Sequence, residues 1–580
     1  MNAQLPLTAQ IPSPSSPPFS NTKPSITDFT ITIPGSKVDS IKNSSNNDSD
    51  SYDETSLPRW STPEFRFYTL IFILVVPLMV WIPIRLSSPS HPNYWKFEHR
   101  LSEGWFGYKV DNSDAQYRTF RSNLIPLLGL SSIYLITSYI FSKIVSPSTP
   151  QQRIKFIAYF SGLMIILLHG ISSIKIISIL SLNYHISKLP IIKSAGIVKK
   201  FWPALIIIGN MGILFMNEKN DGYKFGELHA ALGTLDSWSG LLPRWHISFN
   251  ITMMRMVSFS LDYLWREQDQ NSSQEVPTEY RQRVKISLPE EDYGFTNYLA
   301  YCLYPPLYIA GPIMTFNDFL WQIRNPTTIS TKSKVSYGIR FMFSYLSMES
   351  VLHTMYVVAI KDTKAWEGDS PAEMSMIGFW NLVVVWLKLL IPWRFFRLWA
   401  LLDGMDPPEN MIRCVANNYS TLGFWRSWHR SYNLWVVRYI YIPVGGSRNV
   451  ILATGLVFTF VALWHDLSFK LLAWGWLISL FILPELIARK TFSAKKYGQN
   501  WWYRHLCAIG GVINVLLMMS ANLVGFVLGL DGMKVLLIEL TFTYSGWLFM
   551  IFASCCLFIA VQVMFEYREE EKRKGIDRRC

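Results

Sequence analysis

Long apolar runs alternate with polar connections along the chain, and the runs are of helix length. They fall at about residues 65–84, 124–145, 154–182, 201–217, 295–316, 337–360, 376–396, 450–465, 469–489, 505–530 and 542–565. A helix needs ~20 apolar residues to cross a bilayer core, so the pattern predicts an all-α, polytopic membrane protein of about eleven spans. The first run reads as an uncleaved insertion signal. Several runs are broken by Pro or Gly, at Pro203, Pro305, Pro306, Gly311, Pro312 and Pro392. Such breaks are tolerated only where backbone is buried in protein or lines a cavity. The stretch 241–265 is apolar in bias but carries Arg244, His246, Arg255 and Asp262, which predicts an interfacial or re-entrant segment. No internal repeat is present, which argues against an inverted-repeat transporter.

The polar stretches divide the chain. Residues 1–60 are rich in Ser, Pro, Asn, Asp and Thr and cannot bury enough surface to offset ordering entropy. They are expected to be a disordered lumenal arm, followed by a membrane domain over 61–567 and a basic cytosolic tail over 568–580. The sequons at Asn43 and Asn47 would be usable in a lumenal arm. The orientation, N-terminus lumenal and C-terminus cytosolic, follows from the basic tail and an odd span count. The stretch 87–123 is polar but carries Trp95, Phe97, Trp105, Phe106, Tyr108, Tyr117 and Phe120, which predicts a loop packed on the membrane domain. Residues 266–292 form a second polar loop.

Composition agrees with the pattern. The chain is 50% hydrophobic, 15% aromatic and only 16% charged, which excludes a soluble enzyme. Its net charge of +13 is scattered between apolar runs, so the expected partners are membrane lipids and an anionic co-substrate, not nucleic acid. The six cysteines show no CxxC pair and no metal-ligand spacing, so neither a zinc site nor a disulfide framework is expected.

The candidate chemistry lies in one stretch, 424–466, which opens FWRSWHRSYNLWVVRYIYIP and closes on ALWHD. His429 falls in its aromatic and basic part, suited to an interface or to packing between helices. His465 ends an apolar run, where an ionisable group is costly unless it has a partner or a job. Imidazole titrates near neutrality and can take a proton from a hydroxyl. His169, His185, His246, His353 and His505 lack such surroundings and read as structural. Glu349 and His353, four residues apart, read as a buried structural pair. No phosphate-binding Gly-rich loop, HExxH or GxSxG is present.

These residues carry a resemblance. The stretch from Phe424 to the LWHD motif, together with Tyr304-Pro305-Pro306-Leu307-Tyr308-Ile309-Ala310-Gly311-Pro312 upstream, resembles the membrane-bound O-acyltransferase (MBOAT) family. GYKVDNSDAQYR at 107–118, FRLWALLDG at 396–404 and residues 411–419 resemble its branch of fungal glycerol-uptake (Gup) and hedgehog-acyltransferase proteins. The resemblance implies a ring of tilted helices around a tunnel open to both membrane faces. It implies His465 as general base and His429, at a position that takes Asn, Asp or His, as the group that orients substrate or polarises the thioester. Trp425, Arg426, Trp428, Arg430, Asn433 and Arg438 are the candidate substrate-binding residues, and the three arginines are candidates for the anionic CoA or a lipid phosphate. No cofactor or metal is implied beyond acyl-CoA as co-substrate. The implied reaction is sn-2 re-acylation of lyso-GPI-anchored proteins in the endoplasmic-reticulum membrane, with the plasma membrane a further address. The alternative is a glycerol–proton symporter, for which Asp262 and Glu349 are the candidate pathway carboxylates.

Overall fold

The computed structural model describes residues 57–145, 149–189, 196–266, 280–286, 288–326, 329–465 and 469–576. Most of the predicted arm with both sequons, most of the second polar loop and the last four tail residues lie outside the described residues. The fold is helical throughout. Among the described residues the one sheet is a hairpin, in which Leu101–Glu103 pairs antiparallel with Lys109–Asp111.

Eight helices are long and apolar enough to cross a membrane. They are Pro63–Leu86, Leu124–Ile144, Pro150–Ser187, Lys200–Lys219, Pro371–Leu402, Leu471–Thr491, Tyr503–Val527 and Tyr544–Arg573. Three of the expected spans differ. The run 295–316 is no span: it forms Phe295–Cys302, the single turn Pro305–Tyr308 and an irregular segment, nearly all buried. Its three prolines and Gly311 keep the run from continuing as one helix, and a buried position is the one such backbone can take. The run 337–360 is the helix Thr331–Thr354 and the short helix Val357–Asp362, broken at Met355 and Tyr356. The run 450–465 is a helix of 16 residues, Val450–His465.

The stretch 241–265 lies inside the protein. It is the helix Trp245–Trp265, buried along almost its whole length and central to the core. Internal partners meet most of its charged side chains. Arg255 donates to the carbonyls of Cys302 (2.9 Å) and Leu307, so its guanidinium satisfies acceptors that the broken 295–316 run leaves free. Asp262 is held by Arg438, and His246 lies 3.4 Å from Asp221.

The aromatic loop packs as predicted. Asp111 accepts from the backbone N–H groups of Val358 (3.0 Å) and Ala359 (2.9 Å), and the Trp105 N–H donates to His353 Nε2 (3.0 Å). Glu349 takes Tyr117 (3.0 Å) and Arg121 (2.7 Å), while His353 Nδ1 lies 2.7 Å from the Glu349 carbonyl. That cluster ties loop to helix. Asp403 plays the same part elsewhere, gathering the Tyr134 (3.0 Å), Tyr304 (2.5 Å) and Arg153 side chains.

The two chain ends meet. The Arg59 N–H donates to Glu566 Oε1 (3.0 Å), Arg504 lies 3.8 Å from Glu566, and the first and last helices pack together. The first described residues therefore lie beside the end of the last helix. The basic segment 568–580 is less of a tail than expected. Its helix runs to Arg573, with the Arg413–Glu571 pair (2.9 Å) and a bond from Arg568 to the Asn417 carbonyl (2.8 Å) tying it to the body. On the opposite face, Arg85 at the end of the first helix pairs with Glu373 at the start of Pro371–Leu402.

Candidate active site

The site is assembled from three pieces of chain. His465 is the last residue of Val450–His465, which packs on Phe469–Thr491. Gly475 makes that approach possible, because a Cβ there would lie 2.9 Å from the Phe458 carbonyl oxygen. Gly525 likewise lies flat against Trp474, where a Cβ would come within 2.6 Å of the indole. Trp474, so confined, presents its ring 6.2 Å from that of His465, and Trp464 stands 5.0 Å away on another side. The His465 residue itself is exposed, so the helix end holds it against aromatic rings with one side open.

His429 reaches the same place from a different element. It caps the short helix Arg430–Val436 in the left-handed region, φ +44° and ψ +51°. The segment 410–412 holds that turn, since the Arg430 N–H donates to the Asn410 carbonyl (3.0 Å) and the Ser431 N–H to Asn410 Oδ1 (3.1 Å). From the other side the Ile313 N–H donates to Ser431 Oγ (2.9 Å), so the buried Gly-Pro segment is a wall of the site. The His429 ring lies between Trp393 (4.4 Å, 22°) and Tyr432 (5.1 Å, 17°), both near-parallel.

Trp464 joins the two histidines. Its ring is 6.4 Å from His429, 4.7 Å from Tyr432 and 5.0 Å from His465. Among the described residues neither imidazole has a hydrogen-bond partner. The other histidines contrast with this: His169 is held by the Leu242 carbonyl (2.8 Å) and the Tyr308 hydroxyl (3.0 Å), and His505 faces Gln562 (3.2 Å).

The predicted substrate-binding residues divide. Arg438 is not available for an anion. It forms a buried pair with Asp262, Nη2 to Oδ1 2.9 Å, and the Tyr439 hydroxyl donates to the same oxygen (2.9 Å). No acid lies closer to Arg438 in the sequence than Asp466, 28 residues on, and the partner it finds lies 176 residues away. Trp425 packs on Phe458 and Trp474, beside the His465 side of the site. Trp428 stacks on Phe424 and bridges to Met411. Arg426, Arg430 and Asn433 are half-buried. Sequence reasoning missed Trp393 and Tyr432 as the rings that clamp His429, and Trp474 beside His465. Only the LWHD motif signalled Trp464. The five described cysteines are free, and among the described residues no three His, Cys, Asp or Glu side chains cluster as metal ligands.

Two imidazoles without a hydrogen-bond partner among the described residues thus share one tryptophan inside a bundle of membrane-length helices. A profile of the MBOAT, membrane-bound O-acyltransferase family matches residues 242–530, which span the buried helix, the Gly-Pro segment and both histidines. The chain belongs to this family and is an acyltransferase. Within the family it falls with the fungal Gup proteins. It is 48% identical to Membrane-bound O-acyltransferase GUP1 of Saccharomyces cerevisiae, over 93% of this chain and 97% of that protein. It is 42% identical to GUP2 of the same yeast, over 90% of each chain. A more distant relative is the mouse Protein-cysteine N-palmitoyltransferase HHAT, 29% identical over 33% of this chain and 40% of that protein. Its substrates are an acyl donor and an acceptor, and its surroundings are membrane lipid.

Proposed function

We propose that the protein transfers a long-chain acyl group from acyl-CoA to the sn-2 hydroxyl of lyso-GPI anchors on proteins, in the endoplasmic-reticulum membrane, with His465 as general base. The observation that carries this reading is that His429 and His465 alone combine convergence with ring nitrogens left unbonded by the described residues. His465 takes the proton from the acceptor hydroxyl as its oxygen attacks the thioester carbonyl carbon. The carbon–sulfur bond then breaks and the departing CoA thiolate recovers the proton. Losing solvent around such a pair strengthens each polar contact that the substrates make. His429, clamped between two rings, orients the acyl carbonyl. The full-length yeast relatives are named O-acyltransferases, which favours a hydroxyl acceptor over the amine implied by the name of the mouse relative. The lyso-GPI acceptor rests on the resemblance to the Gup branch.

The basic end of the last helix and the arginines beside it favour a cytosolic placement for the face that carries both chain ends. The symporter reading has less support. A proton path needs carboxylates free to titrate, and both candidates are engaged, Asp262 by Arg438 and Tyr439, and Glu349 by Arg121 and Tyr117. The test is direct. His465→Ala should remove ~10²–10⁴-fold of the acyl-transfer rate at equal protein level. Cells carrying that variant should accumulate lyso-GPI anchors. Full rate in the variant sinks the mechanism, and normal anchors in a deletion strain sink the acceptor.

A further inference from the structure

Arg340, Arg394 and Arg397 gather where the helix Thr331–Thr354 packs on Pro371–Leu402, and among the described residues two of them have no ion-paired acid of their own. Arg397 takes up the neighbouring carboxylates, Asp406 at 2.7 Å and Glu409 at 3.5 Å, and Glu409 also accepts from the Tyr337 hydroxyl (3.1 Å). Arg394 donates instead to the Arg340 carbonyl (3.2 Å) and to Ser344 Oγ. Arg340 lies over the Tyr337 ring, 4.8 Å from its centroid, and is exposed. Glu409 is the nearby acid, but Arg397 holds it, and neither Arg340 nor Arg394 forms an ion pair with a carboxylate among the described residues.

Their setting says what kind of anion would meet them. Along Thr331–Thr354 the exposed residues beside Arg340 include Val335, Ile339, Met342, Phe343 and Leu346, a stripe of large apolar side chains that is the surface a helix turns to lipid. The helix Pro371–Leu402 has 32 residues and is therefore about 48 Å long, against a hydrocarbon core of ~30 Å. Arg394, eight residues from its end, then falls near the level of the headgroups. This is also the face of the chain ends, since the other end of Pro371–Leu402 is the one tied to Arg85. Paired arginines at that depth are costly without an anion and match the oxygens of a phosphate by geometry.

We propose that Arg340 and Arg394 form a phosphate-binding site on the lipid-facing surface of the protein, and that it takes the headgroup of an anionic phospholipid. The site is separate from the two histidines and does not depend on the reaction assigned to them. The one other source of the same chemistry is the phosphate of CoA.

Binding can be read without turnover. Full-length protein in neutral detergent is titrated with phosphatidylglycerol, with phosphatidylcholine and with coenzyme A, and thermal unfolding is followed. Phosphatidylglycerol should raise the midpoint of the wild type while phosphatidylcholine should not. In Arg340→Gln the apparent affinity for phosphatidylglycerol should fall about tenfold, the size expected on losing a hydrogen-bonded charge. Arg340→Lys should keep part of it. Arg340→Gln suits the purpose because its side chain touches only the Tyr337 ring, and its carbonyl still accepts from Arg394. Arg394→Gln should repeat the result. If coenzyme A instead gives the Arg340-dependent rise, the phosphate site stands but its ligand is CoA and the lipid assignment is overturned. Equal behaviour of wild type and Arg340→Gln with every ligand overturns the site.

Discussion

His429 is the residue at which backbone and chemistry constrain each other most tightly. Its φ of +44° is a conformation that most L-residues avoid at a cost of roughly 1–2 kcal/mol, but His, Asn and Asp are enriched there. The family position that the resemblance aligns with it takes those three residues. They share hydrogen-bonding capacity without sharing a pKa, so a role that survives their exchange is orientation, not proton abstraction. His429→Asn should therefore retain much of the acyl-transfer activity. His429→Ala should lose most of it, because it forfeits the polar group, the stacking on Trp393 and Tyr432, and the preference for the turn. His465, by contrast, sits on a regular helix and should tolerate neither change, so His465→Asn should be as inactive as His465→Ala. Rates for the four variants at matched protein level decide the assignment. An active His465→Asn with an inactive His429→Asn would reverse it.

At the scale of elements, the buried helix Trp245–Trp265 is what turns a set of spans into a site. It holds the broken Gly-Pro segment through Arg255 and the segment after His429 through Asp262. Removing one partner of a buried ion pair leaves an uncompensated charge and typically costs ~3–5 kcal/mol. Arg438→Gln and Asp262→Asn should each lower thermal stability in detergent by an amount of that order, and the double variant should cost less than the sum of the two. Arg438→Glu should lose folded protein and not merely weaken acyl-CoA. Arg426→Glu and Arg430→Glu, at half-buried positions, are instead expected to raise the apparent KM for acyl-CoA while folded protein is kept. The reverse pattern, a folded Arg438→Glu with a raised KM, would return Arg438 to the substrate.

Across the whole molecule, the contact between Arg59 and Glu566 predicts an even number of crossings. Epitope tags placed just before Leu57 and at the C-terminus should show the same protease accessibility in sealed microsomes. Opposite accessibility would mean that the first and last helices do not pack as they do here. The apolar stripe around Arg340 and the basic end of the last helix belong to the same face, so charge, lipid and chain ends are distributed by one common orientation.

Hydrophobic periodicity alone was enough for the membrane class and for most of the spans, because helix length in lipid acts locally. The packed aromatic loop was legible locally too. Three things were not. Arg438 and Asp262 are far apart in the chain, and only folding shows that each neutralises the other. The run 295–316 has the length of a span, but its unmet carbonyls needed Arg255 from another helix, and that contact decides that it stays inside. The aromatic clamp on His429 joins Trp393 and Tyr432 from separate elements, a pairing that no spacing encodes. Local energetics determined what could enter the membrane, and the pairing of distant polar groups within it decided where the chain crosses and where the site forms.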